Sequence, residues 1–123
     1  MATTVSRLSN GLRVVSHHMP HLGTVALGVW VASGARHESG EEHGISHLLE
    51  HMAFKGTGRR SAQEIAEEIE QVGGELNAAT SLDTTAYYAR VLKDDLPVAL
   101  DILADIIQNP AYSEDELERE RDV

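Results

Sequence analysis

The chain of 123 residues contains no cysteine and few aromatic residues. The absence of cysteine excludes disulfide bonds, thiolate metal sites and cysteine nucleophiles, and it is compatible with a reducing compartment. Aromatic residues make up only 4% of the chain, so the core must be built mainly from aliphatic side chains. With 41% hydrophobic and 24% charged residues, the composition is still that of an ordinary globular domain.

Basic residues and long apolar runs are also scarce. The chain has 10 basic against 20 acidic residues, which gives a net charge of −10. A surface with this charge repels phosphates, which argues against nucleic-acid binding. No apolar run approaches the roughly 20 residues that a membrane span needs, and the first residues lack an apolar signal segment. We therefore expect no nucleic-acid or membrane partner, and a cytoplasmic location.

The order of hydrophobic patterns predicts an α+β fold. The predicted elements are strands at 5–8, 12–18 and 24–32, helices at 44–55 and 61–72, strands at 75–81 and 84–92, and helices at 95–108 and from 113 onwards. Strand pairs followed by helix pairs favour an antiparallel sheet with helices packed on one face. The last helix has no stop signal, so we expect residues 1–123 to be a single incomplete domain.

Helical and strand periodicity also predict which side chains form the core. We expect a capping box at Ser61 and Glu64 and a cap for the third helix at Asp94 or Asp95. Tyr87 and Tyr88 alternate across their strand, which places one in the core and one on the surface, although a core position is favoured for each of them. The expected helical core residues are Ile45, Leu48, Leu49, Met52, Ala62, Ile65, Ala66, Ile69, Val72, Leu96, Ala99, Leu100, Leu103, Ile106 and Ile107.

The pattern that carries chemistry is His47-Leu48-Leu49-Glu50-His51. On a helix the two histidines lie on one face, about one turn apart, so both imidazoles can reach one metal ion. Glu50 follows His47 by three residues and projects from the same side. A carboxylate beside a metal can take a proton from the attacking water, as in zinc peptidases.

A polar, histidine-rich helix face is the alternative interpretation of this pattern. It is disfavoured because paired histidines beside a carboxylate and packed apolar residues are costly without a ligand. The remaining histidines have no metal-binding spacing and are expected on the surface or in loops: His17, His18, His21, His37 and His43.

The wider context resembles the pitrilysin/insulinase family of zinc metallopeptidases, the inverzincins with the order H-x-x-E-H. Within that family it is most similar to processing-peptidase-like bacterial proteases. The stretches that carry the resemblance are 34–38, 44–57, 73–81, 85–88, 109–110 and 118–123.

The resemblance implies a metal site with one Zn²⁺. By resemblance, His47 and His51 are zinc ligands and Glu50 is the general base. The third ligand of the family is a glutamate that would fall near position 127, roughly 76 residues beyond His51, and so the chain lacks the residue that completes a three-ligand site. Glu120 resembles an auxiliary acid near the metal, although it is equally well explained as a solvated acid on a helix.

The resemblance also implies a substrate-binding hairpin. Asn77 resembles a residue that binds the substrate backbone beside the zinc, with an ordinary edge-strand asparagine as the alternative. An edge strand offers free N–H and C=O groups, so Asn77, Ala78, Ala79 and Thr80 could pair with an extended peptide. Ala79 replaces the usual aromatic residue of the family, which leaves side-chain preferences open.

Together these features predict a zinc endopeptidase that hydrolyses extended or unfolded polypeptides. By resemblance we expect a homodimer or a heterodimer with a related subunit, and we expect the 123 residues alone to be inactive. The alternative is a non-catalytic structural or partner subunit of the same fold. The intact set of His47, Glu50 and His51 argues against that alternative.

Overall fold

A computed structural model describes residues 3–32 and 45–111, apart from the side chains of 45–47. The elements are β1 Thr3–Arg7, β2 Arg13–His17, β3 Thr24–Val31, α1 Ile45–Ala53, α2 Ala62–Gln71, β4 Glu75–Thr80, β5 Thr85–Leu92, a 3₁₀ turn Lys93–Asp95 and α3 Leu96–Gln108. The predicted order is confirmed through α3. The helix predicted from 113 onwards lies outside the described residues.

The strands form two antiparallel sheets. Strands β1 and β2 pair as a hairpin in which every residue is exposed. Asn10 and Gly11 form its turn, where Gly11 has a φ of 91° and the Asn10 Oδ1 accepts the Leu12 N–H. The second sheet has the order β3-β5-β4, with β5 in the centre.

One face of the three-stranded sheet carries the core. The register aligns Leu27, Ala89 and Leu76 across the three strands. Two residues further along, on the same face, it pairs Val25 with Val91. Helices α2 and α3 pack on this face, as the sequence predicted, and bury a contiguous aliphatic cluster. Its buried members are Ala53, Ile65, Ile69, Ala89, Val91, Ala99, Ile102, Leu103 and Ile106.

The opposite face of this sheet carries aromatic side chains instead. The Trp30 side chain is 66% exposed and lies over Gly28, where an added Cβ would stand 2.7 Å from the indole Cη2. Tyr88 lies on the same face and is 39% exposed. The prediction of a core position was therefore wrong for Tyr88, whereas Tyr87 packs edge-on against Phe54 on the helix side.

Several helical core predictions were also wrong. Leu49, Ala62, Ala66 and Leu100 are exposed, and Ile102, which was not predicted, is fully buried. Helix α3 contacts the sheet and α2 at once, so its buried stripe includes position 102. Leu100 lies half a turn away from Ile102, on the solvent side.

The helix ends follow the predicted capping signals in part. Ser61 and Glu64 form the expected capping box, with the Ser61 Oγ accepting the Glu64 N–H at 3.1 Å. Helix α3 has Pro97 in its first turn, but the Asp95 side chain makes no capping bond. A 3₁₀ turn leads directly into α3 instead, which corrects the predicted side-chain cap. Across 3–32 and 45–111, no helix is long and apolar enough to cross a membrane.

Candidate active site

Helix α1 carries the predicted metal motif. Its backbone is helical from Ile45 to Ala53, so His47 and His51 lie one turn apart on the same side. The C-terminal half of the helix is anchored by Met52 and Ala53, which are 0% and 4% exposed. His51 itself is half-buried. The rotation of α1 is therefore fixed by its buried residues, and Glu50 lies on the side that faces strand β4.

Strand β4 meets the motif through Glu50. The Thr80 Oγ1 donates a hydrogen bond to the Glu50 Oε2 in a partly buried position. The two residues are 30 positions apart, and the contact joins α1, which carries the predicted metal motif, to the end of the strand predicted to bind substrate. The structure thus brings together two parts of the predicted site.

The predicted substrate-binding residues lie on two faces of β4. Ala78 and Thr80 are half-buried and point to the helix side, whereas Asn77 and Ala79 are exposed on the other face. The Asn77 Oδ1 accepts the N–H of Ala78 at 2.8 Å, so the amide side chain lies along its own strand. Only the Ala78 and Thr80 side chains share a face with Glu50.

Strand β4 has an open edge in the described part of the chain. It pairs with β5 on one side, from Glu75 opposite Arg90 to Thr80 opposite Thr85. The strand order β3-β5-β4 leaves the other side of β4 without a neighbouring strand among residues 3–32 and 45–111. Such an edge can accept an extended peptide as an additional strand.

The loop after α1 is tied to α3 by a buried carboxylate. Thr57 lies four residues beyond the end of α1, in a loop closed by its own N–H to the Arg60 carbonyl at 2.7 Å. Its hydroxyl donates a hydrogen bond to the Asp105 Oδ2 at 2.6 Å. Asn109 donates to the other oxygen of Asp105 at 3.1 Å. The loop after α1 is therefore linked to the last turn of α3.

Arg60 extends this link into an ionic network. The Arg60 side chain is 11% exposed. Its guanidinium contacts Asp105 at 2.8 Å, Asp101 at 2.5 Å and Glu68 at 2.5 Å. Glu68 lies on α2 and both aspartates lie on α3. One arginine from the loop after α1 thus connects the two helices that cover the sheet.

The network changes the protonation equilibria of its members. Burial alone would raise the pKa of Asp105, but hydrogen bonds from Thr57, Arg60 and Asn109 outweigh it and lower that pKa to about 2. The pKa of Asp101 is lowered mainly by the hydrogen bond from Arg60. Burial would lower the pKa of Arg60, yet its hydrogen bonds to the acids raise it. All three groups therefore remain charged throughout the physiological range.

The two imidazoles of the α1 motif are suitable zinc ligands, but they are not a complete set. Neutral imidazoles are common zinc ligands, and a catalytic site needs three protein ligands plus an open position. His47 and His51, the two ligands predicted from the sequence, both belong to α1. No group of three potential ligands is found among the side chains that the structure describes. Glu120 and the position near 127 fall outside these residues, so their roles stay predictions.

Comparison with known proteins identifies the family. The sequence profile of the insulinase family, peptidase family M16, matches residues 13–123. The chain belongs to this family. The match covers the M16 motif on α1 and both strands of the β4–β5 hairpin, so the resemblance found in the sequence is confirmed.

Individual M16 relatives agree with this assignment. The chain is 50% identical over 121 residues to the mitochondrial-processing peptidase subunit beta of Lentinula edodes, covering 98% of this chain and 26% of that protein. It is 50% identical over 119 residues to a zinc protease of Rickettsia felis, covering 97% and 29% respectively. The crystal structure of a protease from Helicobacter pylori matches with a TM-score of 0.92 and 33% identity, over 98% of this chain and 29% of that one. The chain thus spans between a quarter and a third of these relatives.

Sequence patterns alone did not point to the Thr57–Arg60–Asp105 network. The available signal was Asp105 itself, which stands between Leu103 and Ile106 on an otherwise apolar helix face. A carboxylate at such a position requires a buried partner. Thr80 was predicted to bind substrate, but its contact with Glu50 depends on how α1 lies against the sheet, which periodicity does not give.

Proposed function

We propose that this chain is part of a zinc metalloendopeptidase that hydrolyses extended or unfolded polypeptides. The observation that carries the proposal is the setting of Glu50. It lies one residue before His51 on α1, and Thr80 at the end of an open strand edge donates to its carboxylate. The proposed base and the open edge of β4 are therefore in direct contact, and His51 follows the proposed base in sequence. Membership of a peptidase family and relatives named as zinc proteases support the same conclusion.

In this proposal His47 and His51 hold zinc from one face of α1. When bound, zinc would polarise the scissile carbonyl and lower the pKa of the attacking water. Glu50 takes the proton from that water and passes it to the leaving amine. A third ligand, expected to be a glutamate near position 127, would complete the usual set of about three protein ligands. Glu120 is proposed as an auxiliary acid near this site.

Strand β4 orients the substrate in this proposal. An extended peptide pairs with the backbone of Asn77 to Thr80 by adding a strand to the open edge. Main-chain pairing is largely independent of sequence, which suits a peptidase that acts on unfolded segments. The pairing also brings the scissile bond close to Glu50, because Thr80 is the last residue of the strand and its side chain contacts the base. Proximity of this kind lowers the barrier by fixing the reacting groups before the reaction.

The subunit arrangement is proposed from the relatives. The Lentinula edodes protein is named as subunit beta of a processing peptidase. We infer that this protein also works as a pair, either with a second copy or with a related subunit, at a location that we take to be cytoplasmic. We propose that residues 1–123 belong to its zinc-binding domain.

The substitution Glu50→Gln in the full-length protein tests the proposed function. The amide keeps the size of the side chain but cannot accept a proton, so hydrolysis of an unfolded peptide should be abolished while zinc stays bound. Zinc content is measured by metal analysis and hydrolysis by peptide cleavage. Activity within about tenfold of the unsubstituted protein would reject Glu50 as the base. Absence of both zinc and hydrolysis in the unsubstituted protein would favour the non-catalytic subunit instead.

A further inference from the structure

The donor of the hydrogen bond between Thr80 and Glu50 is held in place by the strand and by the turn that follows it. Thr80 is the last residue of β4 and lies on the helix-facing side, opposite Thr85 in the register. The turn that follows is closed by the Ser81 N–H to the Thr84 carbonyl at 2.8 Å and by the Ser81 hydroxyl to the same carbonyl at 3.0 Å. A β-branched side chain in a strand has restricted χ1 freedom. The Thr80 hydroxyl is therefore held in a fixed position.

The backbone of Glu50, which accepts this bond, is equally constrained. Met52 and Ala53 seat α1 in the interior, so the Cα of Glu50 cannot move freely relative to β4. The glutamate side chain, however, has three rotatable bonds and is only half-buried. Without a partner it would sample several rotamers. The Thr80 hydroxyl selects one of them.

We propose that Thr80 is the positioning residue for the base: its hydroxyl holds the Glu50 Oε2 and directs the Oε1 to the attacking water. The inference rests on the proposed function, because Glu50 acts as a base only in that reaction. In the described part of the chain the Oε1 receives no hydrogen bond, whereas the Oε2 accepts one from Thr80. One oxygen is thus used for orientation and the other remains available for proton transfer.

This arrangement also links substrate binding to the base. Thr80 contributes its backbone to the open edge of β4 and its side chain to Glu50. A peptide that pairs with the edge is therefore aligned with the same residue that orients the carboxylate. Removal of the hydroxyl alone should weaken catalysis without weakening peptide binding, because the strand backbone is unchanged.

The test compares Thr80→Val with Thr80→Ser in the full-length protein. Valine keeps the shape and the strand preference but lacks the hydroxyl, so kcat should fall about 10- to 100-fold while KM stays within about threefold. Serine keeps the hydroxyl and should restore kcat to within about threefold of the unsubstituted protein. Thr84→Val, in the same turn but without contact to Glu50, is the matched control and should leave kcat unchanged. Thr80→Ala serves as a second variant without the hydroxyl if the valine variant does not fold.

A spectroscopic measurement separates positioning from general damage. In metal-free protein with ¹³C-labelled glutamate carboxyl groups, the Glu50 signal is assigned by its loss in Glu50→Gln. At neutral pH it should move in Thr80→Val and keep its position in Thr80→Ser. An unchanged kcat or an unmoved signal in Thr80→Val would overturn the inference, as would an equal loss of kcat in the serine variant. The proposed function fails separately, if Glu50→Gln retains activity.

Discussion

The Thr57 hydroxyl donates a 2.6 Å hydrogen bond to the fully buried carboxylate of Asp105, 48 residues further along the chain. This bond joins the loop after α1 to the last turn of α3. A hydrogen bond to a buried charge is stronger than a neutral one, and breaking it leaves the remaining partner without compensation. The position of the loop after α1 therefore depends on a carboxylate of α3.

Replacement of Asp105 by asparagine should destabilise the protein substantially. Asparagine has nearly the same shape, but it removes the charge that faces the buried guanidinium of Arg60. Breaking a buried ion pair by removing one partner costs about 3 kcal/mol or more. The free energy of unfolding is measured by urea denaturation.

Asp101→Asn provides the matched control on the same helix, one turn before Asp105. Asp101 also binds Arg60, but its side chain is 51% exposed, and exposed ion pairs contribute only about 0–1 kcal/mol. An equal loss of stability in both variants would show that burial does not decide the contribution of these pairs.

The same carboxylate predicts how stability depends on pH. The pKa of Asp105 is about 2 in the folded protein, below the value of 3.8 for an unperturbed aspartate. The folded state therefore favours the charged form, and its stabilisation is fully present above pH 4 and lost as the pH falls toward 2. Unfolding experiments between pH 5 and pH 2 should show a decline that is weaker in Asp105→Asn. Parallel pH curves for the two proteins would contradict this origin of acid sensitivity.

Local sequence rules predicted the elements of this fold well and its packing less well. The Ser61–Glu64 capping box and the strands of the β4–β5 hairpin depend on nearby residues, and all were found within one or two positions of their predicted bounds. The exposure of Leu100 and the burial of Ile102 depend on α3 contacting two neighbours at once. Periodicity defines a helix face, but it does not say how wide that face is.

The candidate site divides in the same way. The spacing of His47, Glu50 and His51 was sufficient to predict the metal motif, because helix geometry alone places these residues together. The contact between Glu50 and Thr80 spans 30 residues and depends on the packing of α1 against β4. A single sequence contains no direct signal for such a pair.

A peptide bound along the open edge of β4 should protect the amides of this strand from hydrogen exchange. Addition of an extended, basic peptide to the full-length protein carrying Glu50→Gln, which prevents cleavage, should slow hydrogen exchange at residues 76–81. The physical reason is that a paired strand supplies acceptors for N–H groups that are otherwise solvated. Residues 3–7 of the exposed hairpin serve as the internal control and should exchange at unchanged rates. Protection confined to that hairpin would remove strand addition at β4 as the binding mode.

The last prediction concerns the number of metal ligands. The two histidines proposed as ligands are one protein ligand short of an ordinary catalytic zinc site, and each missing ligand weakens binding and loosens the geometry of the open position. Residues 1–123 should therefore bind zinc weakly and show no steady turnover of an unfolded peptide. A version extended by about fifteen residues, which would include the glutamate expected near position 127, should bind zinc much more tightly.

Zinc titration of both versions, with metal affinity and peptide cleavage measured in parallel, decides this point. The gain in affinity should disappear when the glutamate near position 127 of the extended version is changed to alanine, and it should persist when Glu120 is changed instead, because an auxiliary acid is not one of the roughly three protein ligands. A large loss of affinity in the Glu120 variant would move that residue into the metal site. Tight, stoichiometric zinc and sustained cleavage by residues 1–123 alone would reject a ligand beyond Val123, since the two histidines and water would then suffice.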